Sequence, residues 1–481
     1  MSDWFEVFQR YSGKSAVMAL FLLCALPVTV LTALFTPPGQ SPDEPAHVAR
    51  AAGLLHGAIL AVRKPVLDPN TGQMEMLSGV KVNPGIMSAA IGVSTQLGSR
   101  LVVTADDAEE MLTQPPQPGR VFNDIPNTGR YFPLAYLPAT LGLALGMLFA
   151  GGKPFVCFML ARFGMLTAFL ALGLLALRVA AYGEALLLTV LLLPMSLFLA
   201  GTVNVDGVLI GLACLSAAAL TRGFRWFGLL ALVVLLLTIP PYLPLLGVFL
   251  LPLFAPGLLW RLRDVVLAVL PVLIWAGVVA VFVAVPFGKA PYHPGPLFLG
   301  DRTVLLDHVD PAANLNILLA QPLRFITMPL HEMVRGAAAT LASTIGVLGP
   351  LRIILPDWYY GLWSAAGIVV LAGLLFSKRP KLLPVGTQAV NLVWTTALLF
   401  GNFVLILVAS YISWTGVGFD HIEGMQGRYL LPLLPFLLYA VPSLRPRWHI
   451  PPLLPALPVV LLGLYDIGYI PMCLLNSYYL H

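Results

Sequence analysis

Residues 16–47 read AVMALFLLCALPVTVLTALFTPPGQSPDEPAH. The part up to Phe35 is apolar and has the roughly 20 residues that a helix needs to cross the hydrocarbon core of a bilayer. Asp43, Glu44 and His47 follow, so two adjacent carboxylates and an imidazole are predicted at the membrane's edge. An ionisable group is costly beside hydrocarbon, and we therefore expect chemistry here. The alternative is a proline-rich turn in which Asp43 caps the next helix.

The composition of the whole chain agrees with this start. Hydrophobic residues make up 58% and charged residues 10%, and the mean hydropathy is +0.87, which excludes a soluble globular protein of 481 residues. The four cysteines lie in apolar stretches without the spacing of a metal site or a disulfide framework. No basic patch with interleaved aromatic residues occurs, so no nucleic-acid partner is expected. The chain is predicted to be a polytopic membrane protein.

Basic residues predict how the apolar runs alternate across the membrane. Arg10 and Lys14 precede the first run and no cleavage site follows it, which predicts a retained helix with a cytoplasmic N-terminus. The later basic loops share the cytoplasmic side if residues 131–150, which contain Pro133 and Pro138, form an interfacial or re-entrant helix. These loops contain Arg178, Arg222, Arg225, Arg261, Arg263, Lys378, Arg379, Lys381, Arg445 and Arg447.

The predicted architecture is an all-α integral membrane protein with a single transmembrane domain, residues 1–481. A first periplasmic loop, residues 36–150, carries interfacial or re-entrant helices, and a second large periplasmic segment covers residues 287–358. About 11 spans are expected, with 12 or 13 left open. They cover roughly residues 16–35, 156–176, 184–202, 205–221, 226–239, 242–258, 265–285, 359–376, 389–412, 429–443 and 451–471.

Two further segments place polar side chains at a predicted outer helix end. Asn204 and Asp206 lie at a hairpin tip between apolar runs, where a carboxylate needs water, a partner or a ligand. Turn formation by Asn and Asp explains this pair as well. Tyr242 follows the helix break at Pro240-Pro241, and its hydroxyl either points into a cavity or anchors at the interface.

The loop at residues 413–429 is the richest in polar groups. Its glycines allow close backbone approach, and the planar guanidinium of Arg428 is suited to fork onto phosphate oxygens. The alternative is that Arg428 only snorkels to lipid phosphate. The candidate substrate-binding residues of this loop are Asp420, Glu423, Gln426, Arg428 and Tyr429. From the other segments, His47, Tyr131, Asn204, Asp206 and Tyr242 are also expected to contact substrate.

Several motifs, in order from about residue 25 to 440, resemble those of a bacterial family of predicted membrane proteins defined as a domain of unknown function. That family is similar to the GT-C glycosyltransferases. The motifs are Ser41-Pro-Asp-Glu-Pro-Ala-His47 with Arg50, Tyr131-Phe-Pro-Leu-Ala-Tyr-Leu-Pro138, Asn204-Val-Asp206, Pro241-Tyr-Leu-Pro244, Gly346-Val-Leu-Gly349 with Leu355-Pro356, and Gly424-Met-Gln-Gly-Arg-Tyr-Leu-Leu-Pro432.

The resemblance implies a GT-C-like transferase in the bacterial inner membrane, in contact with membrane lipids. Its donor would be a polyprenyl-phosphate-linked sugar, and its acceptor a glycan or a lipid-linked molecule on the periplasmic face. In such enzymes a carboxylate just past the first span is the catalytic base. That role falls on Asp43, with Glu44 as neighbour or substitute.

Two features depart from the pattern of these enzymes. Their interfacial helix often begins with a Tyr-Pro-Pro-Leu-like motif, and the corresponding motif here, which begins at Tyr131, lacks one proline. A lysine often precedes the mid-chain Pro-Tyr, where this chain has Ile239 and Pro240. The phosphate contact is therefore expected from Arg428 and from Arg130.

The residues support the same chemistry on their own. A hydroxyl that attacks an anomeric carbon must lose its proton, and Asp43 is the candidate to accept it. The departing phosphate needs charge stabilisation, for which Arg428 is the candidate. Direct attack would invert the anomeric configuration. His47, one helical turn from Asp43, orients a carboxylate, joins Asp43 and Glu44 in holding a divalent cation, or is simply a hydrogen-bonded histidine at the interface. The sequence leaves the need for a cation open.

Two other function classes stay open. A transporter or flippase for a lipid-linked sugar needs a similar lipid-facing groove, but the sequence has no internal repeat and few charges within its apolar runs. A polysaccharide polymerase or ligase that uses lipid-diphosphate oligosaccharides differs mainly in the size of its donor. Such an enzyme would favour more arginine on the outer side.

Overall fold

The computed structural model describes residues 2–67, 74–92, 102–252, 257–285, 309–377, 379, 383–444, 451 and 453–480. Side chains are described from Gly13 onward, residue 75 excepted. The first part of the predicted segment 287–358, up to residue 308, lies outside the described residues.

Helices dominate the described chain. In order, the elements are α1 (Ser2–Phe35), α2 (Glu44–Leu55), β1 (Val62–Leu67), β2 (Met74–Val82), α3 (Pro84–Ile91), α4 (Ala105–Thr113), β3 (Val121–Asp124), α5 (Leu137–Phe149), α6 (Pro154–Val179), α7 (Glu184–Leu192), α8 (Pro194–Ala200), α9 (Val205–Thr221), α10 (Arg225–Thr238), α11 (Leu258–Phe282), α12 (Pro311–Ala320), α13 (Arg324–Arg335), α14 (Ala337–Gly346), β4 (Val347–Leu348), β5 (Ile353–Ile354), α15 (Asp357–Leu375), α16 (Val385–Ser413), α17 (Leu437–Ala440) and α18 (Leu453–Tyr478). Further 3₁₀ segments cover Pro133–Tyr136, Pro240–Leu250 and Gly427–Phe436.

Six helices of the described chain are long and apolar enough to cross a membrane. They correspond to six of the predicted spans, and they confirm a mainly helical protein with several membrane-spanning segments. The six are the Gly13–Phe35 part of α1, α6, α11, α15, α16 and α18.

Three other predicted spans differ from the structure because of proline. The run 184–202 is divided at Pro194, where α7 gives way to α8. The runs 242–258 and 429–443 contain 3₁₀ segments with internal prolines instead of single α-helices. Proline has no N–H to donate and clashes with the preceding turn, so these stretches do not continue as α-helix. The total of about 11 spans stays a prediction.

The first loop is not wholly helical, contrary to the all-α prediction. β1, β2 and β3 form an antiparallel sheet there, and β4 pairs with β5 later in the chain. Gly79 allows β2 and β3 to approach each other closely, because a Cβ at this position would lie 1.8 Å from the Asn123 carbonyl oxygen. The loop also contains the short helices α2 and α3, and residues 93–101, which follow α3, lie outside the described residues.

α5 packs on α6 through small residues. A Cβ at Gly142 would lie 2.1 Å from the Leu160 carbonyl oxygen, and one at Gly146 would lie 2.7 Å from Cys157 Cα. Glycines four apart allow this close approach of helices in membranes. These contacts run along the N-terminal half of α6. The re-entrant assignment of residues 131–150 stays a prediction.

The helices begin and end at two opposite faces of the protein. The site face is the one at which α1 ends and α9 begins. At the opposite face, the Lys14 ammonium donates to the Arg178 carbonyl at 3.1 Å, and the Arg379 guanidinium lies 5.1 Å from the centroid of the Tyr182 ring. Basic residues that the sequence assigns to one side therefore lie together, away from the site face.

Candidate active site

Three charged side chains from distant parts of the sequence meet at the site face. Arg428 Nη2 lies 2.9 Å from Asp43 Oδ2, and Arg428 Nη1 lies 3.3 Å from Asp206 Oδ2. We call these three residues the Arg428 centre. The Arg428 side chain is 4% exposed and that of Asp43 is 33% exposed. A substrate can therefore reach the Asp43 carboxylate, while the guanidinium lies buried behind it.

Asp43 has an unusual backbone conformation. Its φ of 58° and ψ of 12° lie in the left-handed region, which residues with a Cβ seldom adopt. Asp43 precedes α2 at the capping position, but its side chain makes no capping hydrogen bond. Asp43 is therefore the N-cap residue by position only, and its carboxylate faces Arg428 instead of capping α2.

Asn204 ties the two acidic segments of the centre together. Its Nδ2 donates to the Pro42 carbonyl at 3.0 Å, and its Oδ1 accepts from the Asp206 backbone N–H at 2.8 Å. The side chain is completely buried. Asn204 thus fixes the backbone on the N-terminal side of Asp43. This geometry gives it a positioning role instead of the predicted contact with substrate.

Glu44 fixes the backbone on the other side of Asp43, through a pair that we call the Arg162 centre. Arg162 Nε and Nη2 donate to the two oxygens of the completely buried Glu44 carboxylate at 2.8 and 2.7 Å. The Val203 N–H also donates to Glu44 Oε1 at 2.9 Å. Since the Glu44 carboxylate is enclosed and fully paired, the geometry argues against Glu44 as a base or a substitute. The remaining Arg162 donors bind the carbonyls of Ala33, Thr36 and Pro37.

His47 lies on α2, buried one turn beyond Asp43. Its Nδ1 is 2.8 Å from Tyr136 Oη. Burial lowers the pKa of His47 to about 4, and this outweighs the attraction of Asp43, which raises it. The imidazole is therefore uncharged at neutral pH. It gives the site a hydrogen-bonding group and no second positive charge.

Three tyrosines predicted to bind substrate surround the centre. The Arg428 guanidinium lies 5.2 Å from the centroid of the Tyr429 ring. Tyr242 is buried and donates its hydroxyl to the Tyr429 carbonyl at 2.7 Å. Tyr131 lies 6.3 Å from His47 between ring centroids, and burial raises its pKa, so its hydroxyl stays protonated. The walls of the site present aromatic faces and neutral hydroxyl groups.

The other predicted residues of the 413–429 loop have different partners. Asp420 is 91% exposed and lies 3.0 Å from His421, a hydrogen bond that lowers the pKa of the Asp420 carboxyl. Glu423 lies 3.7 Å from the same imidazole. Gln426 is half-buried, and its Oε1 has no hydrogen-bond partner among the described residues. No described contact joins these three to Arg428, and their binding of substrate stays a prediction.

The side chains of the site do not match the ligand set of a divalent cation. Among the described residues, no three His, Cys, Asp or Glu side chains come together in a way that could hold a metal ion. Glu44 is committed to Arg162, so the cation site of Asp43, Glu44 and His47 lacks one of its ligands. These residues do not fit a resident divalent cation.

Sequence reasoning missed two buried arginines. Arg162 lies inside the predicted span 156–176, and a lone charge in an apolar run is a signal that would have found it. Arg50 appeared only as part of a motif. It is completely buried and binds three carbonyls, those of Ala58 and Ile59 between α2 and β1 and that of Tyr131 just before the 3₁₀ segment Pro133–Tyr136.

Comparison with known proteins adds a family. The family model described as Predicted membrane protein (DUF2142) matches residues 26–437. This extent agrees with the residues over which the motifs were expected, and it confirms the resemblance at the level of a membrane protein family. No curated protein and no solved structure matches the chain.

Proposed function

We propose that this chain, which belongs to the DUF2142 family of predicted membrane proteins, is a GT-C-like glycosyltransferase. It would transfer a sugar from a polyprenyl-phosphate carrier to a cell-envelope glycan or a lipid-linked acceptor. The proposed location is the bacterial inner membrane, with the site face in the periplasm. The Arg428 centre is the proposed place of reaction.

One observation carries the proposal, namely the partly exposed and strained Asp43 held 2.9 Å from the buried Arg428. The two residues are 385 positions apart in the sequence. A left-handed conformation costs on the order of 1–3 kcal/mol and persists where the surroundings enforce it, which is common at active sites. Asn204 and Glu44 enforce it here on both sides of Asp43.

Asp43 acts as the general base in this proposal. The acceptor hydroxyl attacks the anomeric carbon while its proton passes to the Asp43 carboxylate. A bond forms between the acceptor oxygen and that carbon as the bond from the carbon to the phosphate oxygen breaks, and the electron pair leaves with the phosphate. Attack from the face opposite the leaving group inverts the anomeric configuration. Proton transfer of this kind contributes roughly 10²- to 10⁴-fold in rate.

Arg428 has two parts to play. It orients Asp43 through the 2.9 Å ion pair, and its positive charge offsets the charge of the departing phosphate. Asp206 holds the other arm of the guanidinium at 3.3 Å and so keeps its plane fixed. Arg428 Nε has no hydrogen-bond partner among the described residues, which leaves it one unused donor.

The test is a transfer assay on the purified protein in detergent. A panel of polyprenyl-phosphate sugars serves as donors, and a cell-envelope glycan extract supplies acceptors. The native protein is compared with Asp43→Asn, which keeps the size of the side chain and removes its basicity. We expect transfer to fall by roughly 10²- to 10⁴-fold with an unchanged melting temperature.

Asp106→Asn is the matched control, since it removes an exposed carboxylate on α4, outside the Arg428 centre, and should retain full activity. If the two variants are equally active, Asp43 is not the base. No turnover with any donor, together with tight binding of a lipid-linked sugar, would favour a transporter or flippase. Turnover with lipid-diphosphate oligosaccharides alone would favour a polymerase or ligase.

A further inference from the structure

α13 has three distinct faces along its length. One is buried and contains Met328 and Pro329. A second is polar and contains Arg324, Thr327, His331 and Arg335. The third is an exposed apolar stripe at intervals of three and four residues, which places its members on one side of the helix. The stripe consists of Leu323, Ile326, Leu330 and Val334, exposed by 78, 54, 38 and 77%.

α12 extends this apolar surface and fixes its position. It exposes Leu315 and Leu319, one turn apart. Its buried Asn314 donates to the carbonyls of Tyr411 and Thr415 at 2.9 and 2.8 Å, at the end of α16. α12 therefore lies beside the last turn of a membrane-spanning helix.

The length of α16 indicates at which level of the bilayer α12 contacts it. α16 has 29 residues, which corresponds to about 43 Å at 1.5 Å per residue. The hydrocarbon core is about 30 Å thick, so the terminal turns of α16 reach the lipid headgroups. Leu318 of α12 and Met328 of α13 pack with Leu407, Val408 and Tyr411 in those terminal turns. α12 and α13 thus lie at the level of the headgroups on the site face.

On α13, the basic side chains lie on the exposed polar face and the acidic side chain does not. Arg324 and Arg335 stand at the two ends of α13. The acidic residue of the helix, Glu332, turns inward, where its Oε2 accepts from the Ile422 N–H at 3.5 Å. A helix with an apolar stripe and arginines on the neighbouring polar face suits a membrane surface with anionic headgroups.

We propose that α12 and α13 form an in-plane anchor in the site-face leaflet, with the apolar stripe among the acyl chains and the arginines at headgroup phosphates. The anchor is connected to the Arg428 centre. α14 follows α13 directly, and its Ser343 and Thr344 side chains bind the N–H and the carbonyl of Gly427 at 2.9 and 3.2 Å. The membrane surface thereby sets the position of the segment that carries Arg428.

Spin labels measure this directly in the full-length protein. Single labels are introduced by Ile326→Cys, Val334→Cys and His331→Cys, each in a Cys473→Ala background, because the remaining cysteines are buried. The protein is placed in nanodiscs of phosphatidylcholine with or without phosphatidylglycerol. Collision with lipid-soluble oxygen is compared with collision with a water-soluble nickel complex.

The control label is Leu112→Cys, an exposed leucine on the acidic helix α4, none of whose residues is buried. We expect oxygen-to-nickel ratios at 326 and 334 to be several-fold above those at 112 and 331. Phosphatidylglycerol should raise the ratio at 334, and Arg324→Gln with Arg335→Gln should abolish that rise.

Two results would overturn the anchor. Labels at 326 and 334 as accessible to nickel as the label at 112 would mean that water covers the stripe. Low access to both reagents, together with dipolar broadening between labels, would mean that a second copy of the chain covers it. Failure of the lipid dependence alone would remove the role given to the arginines. None of these readouts depends on transferase activity, so they stand apart from the proposed function.

Discussion

Two buried arginines pair with the adjacent carboxylates Asp43 and Glu44, and they do so in opposite ways. Arg162 uses Nε and both terminal nitrogens in hydrogen bonds to Glu44 and to carbonyls at the end of α1. Arg428 reaches Asp43 and Asp206, but its Nε has no partner in the described part of the chain. A saturated and enclosed pair holds backbone in place. A pair with an unused donor and a partly exposed carboxylate can contact a substrate.

The difference arises within one residue of sequence. Asp43 and Glu44 have nearly the same chemistry, but the left-handed backbone at Asp43 sends the two side chains to different partners. The Arg162 centre is the support, because it fixes the backbone next to Asp43. The Arg428 centre contains Asp43 and depends on that support. Perturbing each centre separately should therefore change different properties.

The largest effect is expected on stability from Arg162→Leu. Removing one partner of a buried ion pair leaves Glu44 charged and enclosed, at a cost of about 3–5 kcal/mol. Arg428→Leu should cost less, because the two carboxylates that it leaves, Asp43 and Asp206, are 33 and 13% exposed, whereas Glu44 is completely buried. Melting temperatures and monodispersity in detergent compare the two. Equal destabilisation by both changes would erase the distinction between support and site.

The next largest effect is expected on the pH dependence of folding stability. It arises at the Arg428 centre, because His47 lies beside it. The pKa of His47 in the folded state, about 4, lies below its ordinary value of 6.5. The unfolded chain therefore binds more protons between these values, and folding is weakened as the pH falls from 6.5 towards 4.

The loss amounts to at most about 3 kcal/mol and is absent above pH 6.5. Melting of the native protein and of His47→Gln across this range measures it. The substitution should remove most of the slope. A slope that is unchanged in His47→Gln would assign the pH dependence to another group.

Arg428→Lys tests whether the two-armed binding of the guanidinium to Asp43 and Asp206 matters, and its expected effect is smaller. A lysine keeps the charge but cannot bind Asp43 and Asp206 along two fixed directions. Loss of one charge-assisted hydrogen bond is worth about 1.5–3 kcal/mol, which corresponds to roughly 10- to 100-fold in kcat/KM. The same bond contributes to the folded state, so the melting temperature should also fall, but by less than in Arg162→Leu. Full activity in this variant would reduce the role of Arg428 to charge alone.

Sequence alone gave the class of the protein and much of its candidate site. Apolar runs long enough to span a membrane are a strong signal, and they located the six long helices. A carboxylate at the end of an apolar run is costly enough to mark a site, which singled out Asp43 and Asp206. The structure joins both to Arg428 across hundreds of residues, a long-range contact that no local pattern contains.

The parts that sequence did not give depend on tertiary context. Hydropathy treats residues 242–258 as a span, although the prolines at 240, 241 and 244 produce a 3₁₀ segment. Sequence also left Glu44 as a neighbour of Asp43 or a substitute for it, because Arg162, which pairs with Glu44, lies more than a hundred positions away. The strands of the first loop were missed because their pairing depends on contact with each other.

The smallest effect is expected from Tyr242→Phe. This change tests whether Tyr242 also helps to hold the backbone next to Arg428. The change removes one hydroxyl and leaves the buried Tyr429 carbonyl without its donor, at a cost of about 1 kcal/mol. Because that carbonyl follows Arg428 directly, activity should fall several-fold while Asp43→Asn remains far worse. Tyr465→Phe, at an exposed ring on α18, is the control and should change neither property. If Tyr242→Phe lowers stability and leaves kcat/KM intact, then Tyr242 belongs with Arg162 to the support and not to the site.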